Sequence, residues 1–174
     1  MTRPIFEEPP EDMALRSGAI LVNWNDNAGV AAPEVSSAFR VAAERLLDAA
    51  LANNETWEAA YPILFCYRHG LEISLKSLVP GAPQKHGLGE LWAALLPRLA
   101  GQYPAGQLAW LSDRIAEFEH VDPRSTAFRY ADAVPAGRAP ELWVDFHHLK
   151  TSAALLFDAL DRLRLVGSAG AAAA

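Results

Sequence analysis

Cysteine is almost absent: Cys66 is the single thiol in 174 residues, which excludes an intrachain disulfide framework and any Cys-based zinc centre. Val, Ile and Thr are sparse beside Ala and Leu, so the branched side chains that fill sheets are in short supply and helices are favoured. No stretch approaches the roughly 18–20 uninterrupted apolar residues that a membrane span needs. Met1 to Pro10 carries acids and prolines where a secretory leader needs a basic start and an apolar run. Basic residues do not dominate: 15 Lys and Arg against 21 Asp and Glu give a net charge of −6. That excludes a generally basic nucleic-acid coat and leaves room for a local basic patch. GxxxxGK[ST], GxGxxG, HExxH and GxSxG are missing, and with them the familiar nucleotide, zinc-protease and hydrolase signatures. These absences predict a cytoplasmic protein with no cofactor, no metal site and no membrane association.

What the chain has is apolar material: 51% hydrophobic residues against 21% charged, enough for one core in a single domain of ordinary size. Residues 1–30 are expected as an N-terminal arm, with a short helix over Ala14 to Trp24. The domain itself is expected over 31–166, and the Ala-rich 167–174 as a disordered tail or cloning scar.

From Pro33 onward the periodicity is helical. Val35, Phe39, Ala42, Leu46 and Ala49 recur at alternating spacings of four and three and predict the core face of a helix ending near Asn53-Asn54. A second helix, from Trp57 or Tyr61 to Val79, is apolar nearly all round and should be the central, most buried one. Helices follow near Leu88 to Ala100 and Pro104 to His120, the latter with Leu108, Leu111, Ile115 and Phe118 inward. Asp122-Pro123 ends it, because a residue before proline avoids helical geometry. Residues 121–141 lack a helical period, and Ala127–Tyr130 with Glu141–Val144 predict a small β-hairpin. A last helix, about Asp145 to Val166, places Leu149, Ala153, Leu156, Leu160 and Leu163 on one face. The prediction is an all-α, antiparallel bundle of four to five helices with a short insertion.

The second helix carries the most informative polar residues. Arg68, His69, Glu72 and Lys76 fall within about 100° of arc on an otherwise apolar helix. Such a stripe suits either a solvent-facing strip of i,i+4 ion pairs or a polar pocket or interface seam in which His69 titrates near neutrality. Gly70 weakens the helix there and suggests that another backbone packs closely. His86 precedes a helix and suits either a cap or a ligand contact. Arg129 and Tyr130 offer a phosphate clamp and a stacking face; alternatively they pack the loop, with Arg129 paired to Asp132 or Asp122. His147 and His148 are adjacent and cannot chelate one metal as an i,i+4 pair does. Of these two, one is expected near the core and the other exposed. Cys66 lies in an apolar helix interior, where burial raises the thiol pKa and disfavours a nucleophile. The five tryptophans are either core or, in one or two cases, markers of a partner surface.

Arg68-His69, Glu72 and Lys76, then Lys85-His86-Gly87-Leu88-Gly89-Glu90-Leu91-Trp92, then Asp122 to Phe128-Arg129-Tyr130, and a closing helix that opens Val144-Asp145-Phe146-His147-His148-Leu149, form an ordered series. Over roughly Val35 to Leu163 this series resembles bacterial HEPN-like proteins, a helical-bundle superfamily. The resemblance implies a dimeric domain of a defence, toxin–antitoxin or stress system. It also implies, for some members, metal-independent ribonuclease activity from a closely spaced Arg/His pair. Arg114 and His120 are the pair here with that spacing, and His69 is a further candidate base; His and Arg would serve 2′-hydroxyl and phosphate without a metal. Arg68, Glu72, Lys76, His86, Arg129 and Tyr130 would be binding residues. Expected partners are a second copy, an RNA or nucleotide ligand, or a cognate protein. The imperfect Arg/His motif favours a non-catalytic or ligand-binding module, with the ribonuclease as the alternative.

Overall fold

The computed structural model describes residues 31–79, 81, 86–130 and 142–172, with side chains as far as Leu165. The arm expected over 1–30 and the loop residue Lys85 lie outside these. Among the described residues six helices follow in order: α1 (Ala32–Asn53), α2 (Trp57–Leu78), α3 (Leu88–Leu99), α4 (Ala105–Val121), α5 (Ala127–Tyr130) and α6 (Phe146–Ala172). The protein is therefore all-α, with no strand among the described residues. No helix among them is long and apolar enough to cross a membrane.

Local chemistry sets the helix ends. Asn54 takes a left-handed φ of 52°, and the Glu55 amide donates to Ala50 O at 2.9 Å. This is a Schellman-type stop with asparagine in the place glycine usually takes. α3 begins after Gly87, which has no capping side chain; instead Glu119, reaching across from α4, accepts a hydrogen bond from the Leu88 amide at 2.8 Å. Asp145 caps α6 by accepting from the His148 amide at 2.9 Å. That bond holds the Asp145 carboxyl below the usual carboxylate range. α6 continues through residues expected as tail, to Ala172.

α2 is the central helix, as its all-round apolar character predicts: it touches α1, α3, α5 and α6. Leu47, Ile63, Leu71, Leu75, Leu88, Leu91, Ile115, Leu156 and Leu160 form the heart of the core, each at most 1% exposed. Each such side chain contributes about 1.5–3 kcal/mol on burial. The inward faces expected for α4 and α6 are the ones buried. Of the former, Leu108, Leu111 and Ile115 are buried, and of the latter Ala153, Leu156, Leu160 and Leu163.

α1 differs. Its buried residues are Ser36, Ala43, Leu47 and Ala50, whereas Leu46, from the expected core stripe, is 40% exposed. The helix is turned because its small side chains meet α2 at Gly70. Ser36 Oγ donates to Gly70 O at 2.7 Å, and a Cβ built on Gly70 would stand 3.2 Å from Ser36 O and 3.3 Å from Phe39 Cβ. The close backbone approach suggested by Gly70 is therefore present. Phe39 meets Phe65 and His69 along the same seam.

The expected hairpin is also corrected. Ala127–Tyr130 is a short helix, and Leu142–Val144 has no strand conformation; residues 131–141 lie outside the described residues. Asp122 explains the helix. Its Oδ1 accepts from the amides of Thr126 at 2.7 Å and Ala127 at 3.0 Å, capping a helical turn where alternation alone read as a strand.

Candidate functional site

Arg68 sits at the junction of α2, the start of α3 and the end of α4, and is 1% exposed. Every nitrogen of its guanidinium is engaged. Nε donates to Asp122 O at 2.9 Å and faces Asp122 Oδ2 at 3.4 Å. Nη1 donates to Glu72 Oε2 at 3.1 Å, and Nη2 to His86 O at 2.8 Å. The fixed fork of arginine, unlike the point charge of lysine, can satisfy three chain segments at once. Burial of a cation this deep is tolerated only with such complete pairing.

Glu72, 2% exposed, is the matching anion. Its Oε1 accepts from Lys76 Nζ at 2.8 Å and lies 2.8 Å from His86 Nδ1. Burial pushes its carboxyl up, but the hydrogen bonds from Lys76 and His86 and their charges outweigh it, leaving Glu72 below the usual carboxylate range. Asp122 completes the cluster, with one carboxylate oxygen toward Arg68 and the other on the α5 amides. The stripe expected on α2 is thus a buried ion network rather than a solvated strip. His86 contributes its backbone oxygen to Arg68 and its ring to Glu72. The cap of α3 that its position suggested comes from Glu119.

His69 stands on the neighbouring edge of α2. Its ring stacks on Phe65 at 5.6 Å between centroids and meets Phe39 edge-on at 4.4 Å. Burial lowers its pKa; Glu72 opposes this, while Arg129, Arg68 and Lys76 reinforce it. The imidazole is accordingly neutral at pH 7. Arg129 lies over the Tyr130 ring at 5.2 Å and donates Nε to Ser125 O. The expected pairing of Arg129 with Asp122 is not made, because Asp122 is occupied by Arg68 and by the α5 amides; Asp132 lies outside the described residues. Tyr130 is 68% exposed.

Arg114 and His120 are not brought together. α4 is continuous through Val121, so two residues six apart project about 120° apart. Arg114 pairs with Glu117 at 2.7 Å and lies over Trp110, while His120 is exposed. His147 and His148 are both exposed, so neither is the core histidine expected. No group of metal-ligating side chains occurs among the described residues. Burial raises the Cys66 thiol pKa, the direction expected for an inert thiol. Trp92 is buried and Trp57 and Trp143 are exposed; Trp24 lies outside the described residues.

The residues missed from the sequence are Asp122 as an Arg68 partner and Glu119 as the α3 cap. For Asp122 there was a signal: an Asp just ahead of Ser125-Thr126 is a capping residue in search of a helix. For Glu119 there was none, since its partner is a backbone amide on another helix. No family model matches the chain, and comparison with curated proteins and with solved structures likewise finds no match.

Proposed function

We propose that the chain is a non-catalytic HEPN-like module, an antiparallel helical bundle that binds a ligand or assembles as a homodimer in a cytoplasmic bacterial defence, toxin or stress system. One observation carries the non-catalytic part: Arg68 is 1% exposed, and each of its three guanidinium nitrogens donates within the protein, to Asp122, Glu72 and His86. A guanidinium buried this deeply and engaged at every nitrogen holds helices together. Three of the four segments that carry the HEPN resemblance support the reading, since Arg68, Glu72 and Lys76, His86, and Asp122 meet in this one cluster; the opening of the last helix is not part of it.

A second reading, a metal-independent ribonuclease, takes His69 as its base, a half-buried ring packed on Phe65 and Phe39 beside the ion cluster. The test is RNA cleavage in EDTA by the full chain and by His69→Ala and His120→Ala. The module predicts no cleavage at high protein concentration. Cleavage that one variant loses at unchanged thermal midpoint refutes it and identifies the base.

A further inference from the structure

Along α1, the stripe at alternating spacings of four and three is the most regular apolar repeat in the helix, yet the fold does not cover it. Leu46 is 40% exposed, Ala49 is exposed, and Phe39 and Ala42 are only partly buried. Beside it on α2 runs a ladder at intervals of four: Trp57, 68% exposed, Tyr61, 40% exposed, and partly buried Phe65. Phe39 and Phe65 touch edge to face at 6.4 Å, so stripe and ladder form one continuous face of the α1–α2 hairpin.

We propose that this face is the interface of a homodimer, in which the hairpins of two copies pack face to face. It rests on the assembly reading above and locates it away from the Arg68 cluster. A repeat averaging 3.5 residues is the pattern that a second helix buries along its length, and a second copy brings the same repeat. The size also fits. α1 has 22 residues, hence a length of about 33 Å, and two helices side by side are about 20 Å wide. The projected face of roughly 600–700 Å² is near the ~800 Å² that each partner gives to a standard interface.

Charge points to the same occupant. The chain carries −6, so copies repel over most of their surface, while the seven side chains of this face are uncharged.

The test is sedimentation equilibrium of the full chain over a concentration series. Wild type is expected to be a dimer, and Leu46→Glu and Tyr61→Glu to raise the dissociation constant at least roughly 30-fold with helical circular dichroism unchanged. Should either fail to fold, Trp57→Ser at its 68% exposed position carries the same expectation. Leu155→Glu, on α6 and 52% exposed, should remain dimeric. A wild type monomeric at every concentration, or a dimer that survives these substitutions, overturns the proposal. RNA cleavage by the same preparations would bear on the ionic centre alone.

Discussion

Glu72→Ala strikes the buried network at its anion. The substitution removes the Nη1 acceptor of Arg68 at 3.1 Å and leaves a guanidinium 1% exposed with one carboxylate, Asp122 at 3.4 Å, and two backbone oxygens. Stripping one partner from a buried ion pair costs about 3–5 kcal/mol. The surviving Asp122 places this case near 3 kcal/mol. Lys76 and His86, whose side chains are 25% and 58% exposed, turn to water and add little. With a urea m-value of about 2 kcal/mol/M, the unfolding midpoint should fall by roughly 1.5 M, read by circular dichroism. Arg68→Met with Glu72→Leu removes both charges together and should cost less than the sum of the single changes by about 2 kcal/mol. The pH dependence has a definite sign. The folded Glu72 carboxyl lies below its unfolded value, so its contribution is complete above the unfolded range and disappears as pH falls through the folded one. Glu72→Gln should flatten that acid limb. A loss under 1 kcal/mol in Glu72→Ala, or strict additivity in the double variant, would refute the clamp.

Gly70→Ala gains helix propensity of about 0.5–1 kcal/mol. The new Cβ nevertheless meets Ser36 O at 3.2 Å and Phe157 at 3.3 Å, and overpacking of about 1–3 kcal/mol should win, seen as a lowered thermal midpoint. His69 has a folded pKa below its unfolded one, so its contribution is present above the unfolded value and fades as pH falls below it. His69→Phe should therefore lose less stability than wild type between pH 7.5 and pH 5.5 in paired urea titrations, and an equal loss would show that the ring protonates freely.

The sequence was legible where one face of a helix is plainly apolar. Leu108, Leu111 and Ile115 on α4 and Leu156, Leu160 and Leu163 on α6 are inward as their spacing requires. α1 misled because its apolar arc is wide. The larger residues Val35, Phe39 and Leu46 mark one edge, but Ser36 allows the close approach to Gly70, Ala43 and Ala50 are buried on the same side, and close packing selected the small side. At Phe128-Arg129-Tyr130 the β-prone residues were overruled by the Asp122 carboxylate, which holds the amides of Thr126 and Ala127 just ahead of them. The ion stripe on α2 was visible in the sequence, but its burial was not. Two of the three hydrogen bonds that Arg68 donates end on backbone oxygens, which no side-chain pattern reveals.

The two backbone oxygens that Arg68 holds, those of His86 and Asp122, stand at the two ends of the α3–α4 segment. One guanidinium thus acts as a drawstring: it closes the whole excursion from α2 out through α3 and back along α4 at its neck. A chain segment closed in this way gives up its loop entropy in one step and opens as a unit. Amide exchange in α3 and α4 should accordingly share one opening free energy. Residues inserted at the far turn, near Gly101, which has nothing within 4 Å of a built Cβ, should lengthen the loop without loosening the knot.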